Sequence, residues 1–198
     1  DGELTDTASV TLTITPVNDA PVLEAVSDVS FDEDASGSLS VSGSDIDGDD
    51  LSYSITEGTD ITASLTGSDV SFSAPLDFNG SETFTITVSD SELSDSQTIT
   101  VTILPVNDAP LATTGLTGLT NEDQSVVVNL SGSDIDGDNL SFSLAIAATN
   151  GSVVINGTLA TYTPTLNYNG SDTFSFSVSD GELSDTAEVT LTIDPVND

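Results

Sequence analysis

The chain has 198 residues, of which 34 are Asp or Glu and none is Lys, Arg or His, so its formal charge is −34. With no basic side chain to displace counterions, nucleic acids and anionic membrane surfaces are excluded as partners, and no carboxylate can find a side-chain cation. The absence of Cys and His removes disulfides, thiolate metal sites and any Ser-His-Asp or Cys-His catalytic arrangement.

Residues 1–15, DGELTDTASVTLTIT, match residues 180–194, DGELSDTAEVTLTID, almost letter for letter. They read as the last strand of a preceding repeat, with Val10, Leu12 and Ile14 as its apolar face. That face is expected either to lie against a neighbouring copy, which makes it a candidate for self-association, or to stay loosely packed. The chain begins mid-pattern without a signal peptide, and no apolar run approaches the ~20 residues of a membrane span. It is expected to be an excerpt of a longer secreted chain, with no membrane insertion.

The hexapeptide Pro16-Val17-Asn18-Asp19-Ala20-Pro21 recurs as Pro105 to Pro110 and, shortened, as Pro195 to Asp198. The spacings are 105 − 16 = 89 and 195 − 105 = 90 residues, the length of a small domain, and fixed-period recurrence signals an array. The expected organisation is therefore a last strand at 1–15, a linker at 16–19, a repeat at 20–104, a linker at 105–108, a repeat at 109–194, and the start of another linker at 195–198.

In the first whole repeat an opening strand is expected near Val22 to Phe31. Apolar residues then alternate at Leu39 and Val41; Leu51, Tyr53 and Ile55; Ala63 and Leu65; Val70 and Phe72; Phe84, Ile86 and Val88; and Ile99, Val101 and Ile103. This period of two predicts about seven strands separated by Gly, Asp, Asn and Ser. The second repeat follows the same plan, from Val126, Val128 and Leu130 to Val189, Leu191 and Ile193. No stretch keeps a 3.6-residue apolar period. Seven short antiparallel strands in about ninety residues predict tandem all-β, Greek-key sandwiches of the immunoglobulin kind.

The strongest local motif is Asp45-Ile46-Asp47-Gly48-Asp49, repeated as Asp134-Ile135-Asp136-Gly137-Asp138. Two carboxylates ~4 Å apart repel by ~4 kcal/mol at an effective dielectric of ~20, comparable with much of a small domain's net stability of ~5–15 kcal/mol. Alternate carboxylates on a Gly-containing turn can converge on one hard cation, and oxygen-only ligands favour calcium over transition metals. The plainer alternative is a solvated acidic turn. An EF-hand is disfavoured because the Glu at the twelfth position is missing and the flanks are strands. Asn-Gly words such as Asn79-Gly80-Ser81 match the glycosylation sequon but read first as turns. Paired carboxylates that recur in every repeat are also a poor match to a single glycosidase site, so the chain is read as a non-enzyme.

The stretch Val41 to Ile55, VSGSDIDGDDLSYSI, resembles the DxDxG…LxYSI stretch of cadherin repeats, and Val106-Asn107-Asp108-Ala109-Pro110 resembles the cadherin inter-repeat linker. With Tyr168-Asn169-Gly170 and Val178-Ser179-Asp180-Gly181, both whole repeats resemble the cadherin-like tandem repeats of large bacterial surface adhesins. The resemblance implies calcium held between consecutive repeats. Carried over residue by residue, the central junction would use Glu33 and Asp77 of the first repeat, Asn107 and Asp108 of the linker, and Asp134, Asp136 and Asp180 of the second. The leading junction would use Asn18, Asp19, Asp45, Asp47 and Asp90. Glu122, with Asn197 and Asp198, would begin a trailing one.

The cadherin LDRE word stands here as Leu76-Asp77-Phe78-Asn79, and its Asp position is Asn167 in the second repeat, which implies fewer ions per junction than in animal cadherins. The expectation is thus a calcium-rigidified extracellular spacer of a bacterial surface or secreted adhesin, whose partners are adjacent repeats of the same chain. The alternative is a calcium-dependent module that recognises a glycan or another repeat. Its weakness is that neither repeat owns a distinct aromatic or insertion-bearing face.

Overall fold

A computed structural model describes residues 2 and 4–197. The chain divides into two compact units, Asp1–Pro105 and Val106–Asp198, and among the described residues none is helical.

In the first unit, one sheet has the order β2-β9-β8-β5, formed by Val29–Asp32, Ser94–Leu104, Gly80–Ser89 and Ser52–Ile55. The second has the order β3-β7-β6, from Gly37–Ser40, Asp69–Ser73 and Thr62–Thr66, and a short pair joins β1 (Val22–Leu23) to β4 (Gly43–Ser44). On β8 and β9 the alternation places Phe84, Ile86, Val88, Ile99, Val101 and Ile103 inside, while the Thr residues between them lie outside the core cluster. Val70 and Phe72 of β7 close the sandwich from the other sheet, with the Phe72 and Phe84 rings 5.4 Å apart. Each such buried Val, Ile or Phe contributes about 1.5–3 kcal/mol.

The second unit repeats the design. Its large sheet is β11-β18-β17-β14, from Leu116–Asn121, Ser184–Asp194, Gly170–Ser179 and Ser141–Ile146. The smaller is β12-β16-β15, from Val126–Asn129, Leu159–Pro164 and Gly151–Asn156, and β10 (Leu111–Ala112) pairs with β13 (Gly132–Ser133). Tyr162, Phe174, Phe176, Val189 and Leu191 form the centre of its core.

Two details differ from the expected seven antiparallel strands. The opening strand is split, and its second half runs parallel to the last strand, Val29 beside Val101 in the first unit and Leu116 beside Val189 in the second. The break is held in the first unit by the Gln97 amide, which accepts from Val26 N–H at 3.1 Å and donates to the Leu23 carbonyl at 2.9 Å. In the second unit Gly115, at φ 74, makes the corresponding bend. The strand through Leu39 and Val41 is also divided, because β4 leaves its sheet to pair with β1. Ahead of Val22 no described residue is in a strand, and Val10, Leu12 and Ile14 are all exposed.

Candidate metal centre

One end of each unit is built from three acidic segments: the turn after β4 or β13, the turn joining the two longest strands, and the Asn-Asp word ahead of β1 or β10. In the first unit, Asp45 Oδ1 accepts the N–H groups of Asp47 at 2.8 Å and Gly48 at 3.0 Å, so the carboxylate folds its own turn around itself. Gly48 and Gly137 both have φ 81, a left-handed conformation that lets the chain reverse between alternate Asp residues. Carboxylate oxygens of Asp45, Asp47 and Asp49 all lie within 4.8 Å of one another, as do those of Asp134, Asp136 and Asp138.

The long-strand turns are equally specific. Asp90 Oδ1 accepts Glu92 N–H at 2.8 Å and Leu93 N–H at 2.7 Å, and Asp180 Oδ1 does the same with Glu182 at 2.6 Å and Leu183 at 2.7 Å. The other oxygen of each takes the side-chain amide of the Asn-Asp word at 2.9 Å, Asn18 to Asp90 and Asn107 to Asp180. The N–H of Leu93, followed by the Asn18 amide, holds the Asp90 carboxyl below the usual Asp range; for Asp180 the Asn107 amide is the largest cause. Both remain anionic at neutral pH. The next residue of the word is fixed as well, since Asp19 N–H donates to Asp47 Oδ2 and Asp108 N–H to Asp136 Oδ2, each at 2.8 Å. In the first unit the segments border a cleft of about 430 Å³, lined by Asn18, Asp47, Asp49, Asp90, Ser91 and Glu92 among others.

The donor set fits a hard divalent cation. Calcium ligands at 2.3–2.6 Å from the ion put opposing oxygens roughly 5 Å apart, the scale of both Asp triplets. A second observation points the same way: Asp45 Oδ2 and Asp134 Oδ2 are buried without a hydrogen-bond partner among the described residues. A buried carboxylate oxygen that lacks a donor is costly, and a cation is the partner such an atom would take.

The residues named from sequence therefore fall into groups within each unit. Asn18, Asp19, Asp45, Asp47 and Asp90 come together in the first, and Asn107, Asp108, Asp134, Asp136 and Asp180 in the second. Glu33 and Asp77 lie on other loops of the first unit. Glu33 is buried just after β2 with its N–H on the Leu104 carbonyl at 2.9 Å, and Asp77 donates its N–H to Asp34 Oδ1 at 3.1 Å. Asp77 has φ 57 and Asn167, its counterpart, φ 59; the left-handed conformation accounts for Asp or Asn at this place. Glu122 is buried, and its carboxylate accepts Val196 N–H and the Asn169 amide; Asp198 lies outside the described residues. Asp49 and Asp138 were visible in the repeated motif but were not singled out as ligands. Glu92, on the cleft, was signalled only by the recurring Asp-x-Glu-Leu word.

A family model described as a bacterial Ig domain matches residues 18–102 and again residues 107–192. The chain belongs to the bacterial Ig domain family. Its two bacterial Ig domains in tandem are similar in fold to human protocadherin-24 EC1-2. The identity is 16% over 92% of this chain and all of that one, with a TM-score of 0.53. Form II of the same protein gives 17% over 89% and 99%, with a TM-score of 0.60. The endo-fucoidan hydrolase MfFcnA4 from glycoside hydrolase family 107 is 21% identical over 90% of this chain, at a TM-score of 0.38. This chain spans only 29% of that hydrolase, so the likeness transfers no activity. No curated protein matches the chain. No helix among the described residues is long and apolar enough to cross a membrane.

Proposed function

We propose that these bacterial Ig domains are calcium-stiffened spacer repeats of a bacterial surface or secreted adhesin, working outside the cell and without catalysis. The observation that carries the reading is the pair of equivalent Asp triplets, each with one buried oxygen that no donor among the described residues satisfies. An isolated acidic turn would face water with all its oxygens; here one oxygen per turn has been taken out of water in both domains.

In this reading Asn18, Asp19, Asp45, Asp47 and Asp90 hold calcium at the leading end of the first domain. Asn107, Asp108, Asp134, Asp136 and Asp180 do so for the second. When bound, calcium supplies positive charge to carboxylates that the chain itself cannot neutralise. The protein's part is to hold the oxygens in place: the N–H groups of the two turns fix Asp45, Asp90 and Asp180, and the prolines on both sides of Asn107 and Asp108 restrict the linker backbone. Extracellular modules bind calcium at ~10⁻⁴–10⁻³ M, so joint stiffness would follow the calcium of the medium. The single last-strand sequence at residues 1–15 would belong to the preceding member of the array.

Titration of the chelator-treated chain with calcium, followed by calorimetry, tests the reading. Saturable heats that Asp45→Asn and Asp134→Asn each weaken are expected. An absence of saturable binding at millimolar calcium would overturn it.

A further inference from the structure

The second domain contains a charge-free stretch that the first lacks. From Asn139 to Ser171 there is no Asp or Glu, whereas the matching stretch of the first domain, 50–81, carries Asp50, Glu57, Asp60, Asp69 and Asp77. Strand register fixes the correspondence. Val128, Ala160 and Ile155 lie side by side in the second domain where Leu39, Val70 and Leu65 do in the first. The one extra residue of the second stretch is taken up at the irregularity between Leu144 and Ile146.

This stretch and β12 build the outer face of the sheet β12-β16-β15. Val127, Thr161 and Val154 form one row across it, and Leu159 stands between Asn129 and Asn156 in the next. Val127, Val154 and Leu159 are 54%, 67% and 47% exposed. The same places in the first domain hold Ser38, Ser71, Ser64 and Asp69. One domain thus keeps its outer face polar and acidic, while the other has replaced it with exposed Val and Leu without a single charge.

We propose that this face is a homotypic docking surface that packs against the same face of a second copy of this chain. Charge selects the occupant. A cationic partner would be drawn to the acidic remainder of the molecule, and a hydrophilic one gains nothing from Val127, Val154 and Leu159. A second copy is repelled wherever acid meets acid, but neutral, apolar face against neutral, apolar face removes that opposition and takes apolar area out of water. Three strands ~4.8 Å apart and six residues at ~3.3 Å each give on the order of 300 Å² per copy. That is well below the ~800 Å² per partner of a standard stable interface, so a single contact is weak and becomes effective where copies are crowded or tethered. Because the rest of each copy repels the other, salt should strengthen the association, the opposite of a charge-paired interface.

The test is sedimentation equilibrium of the full chain up to millimolar protein, in chelator, at low and high sodium chloride. Working in chelator keeps the outcome independent of the calcium reading. The comparison variant, Val127→Ser/Val154→Ser/Leu159→Asp, installs residues that the first domain already tolerates at these places, and unchanged melting will show that it folds. Reversible self-association that rises with salt is expected, weakened about tenfold or more in the variant as three apolar contacts are lost. The reverse graft, Ser38→Val/Ser64→Val/Asp69→Leu, should add a second face and give larger assemblies. A wild-type chain that stays monomeric throughout, or a variant that associates equally well, overturns the proposal. So does a monomeric wild type that binds a hydrophobic dye which the variant does not bind, since that result assigns the face to a different partner.

Discussion

Asp134→Asn should change the stability of the second domain in opposite directions with and without calcium. The substitution keeps Oδ1, which accepts Asp138 N–H at 3.2 Å, and converts the buried, unpartnered Oδ2 into an amide donor. It also removes one charge from three whose oxygens lie within 4.8 Å of one another. At 4.8 Å each of the two repulsions is about 0.9 kcal/mol in bulk water and about 3.5 at an effective dielectric of 20. Asp136 and Asp138 are exposed, so the lower end applies, and the relief totals about 2 kcal/mol. For a domain of this size that raises the melting temperature by on the order of 10 °C in chelator. In saturating calcium the lost anionic ligand should leave the variant less stable than the wild type. Differential scanning calorimetry of both proteins under both conditions measures this directly. A variant that is less stable in both, or unchanged in both, would refute the reasoning that Asp134 is strained for want of a cation.

Other outcomes follow from single contacts. Asp172 accepts Asn150 N–H at 2.8 Å, Thr149 N–H at 3.2 Å and the Tyr162 hydroxyl at 3.0 Å. Asp172→Ala strands those donors and should cost the second domain about 3 kcal/mol or more in urea unfolding, while Tyr162→Phe/Asp172→Glu, which copies Phe72 and Glu82 of the first domain, should recover most of it. Ser91 has φ 90 where the second domain uses Gly181 at φ 114; Ser91→Gly should stabilise the first domain by about 0.5–1 kcal/mol and Gly181→Ser should destabilise the second by a similar amount in thermal melts. The Glu82 carboxyl is held below the ordinary Glu range, first by Asp60 N–H and then by Thr59 N–H. Its contribution is therefore present above the unfolded pKa of about 4.3 and lost as pH falls through the lower folded value. Urea stability of the wild type and Glu82→Gln should differ at pH 7 and converge toward pH 3; a difference that grows on acidification would reverse the assignment.

The sandwich was legible because the core-forming strands are half-buried: Thr83, Thr85 and Thr87 alternate with Phe84, Ile86 and Val88 without interruption. The splitting of the opening strand was not, since it depends on Gln97, some seventy residues away, in one domain and on Gly115 in the other. The Asp45 and Asp134 turns could be read from their spacing, yet the burial of one oxygen on each is a property of packing that spacing does not carry. Pairing of Asn18 with Asp90 likewise joins residues 72 apart and came from family resemblance alone. The neutral outer face of the second domain lay open in the sequence as a run without acid, but Val127 and Val154 look like ordinary strand residues until register places them side by side.

In the proposed function, calcium organises the acidic ends of these domains and stiffens the joint at Pro105–Pro110. Small-angle scattering of the chain in calcium and in chelator tests it most directly. A larger and more narrowly distributed maximum dimension is expected in calcium, lost on chelation and lost again in Asp134→Asn. Superimposable scattering curves in calcium and chelator would contradict it.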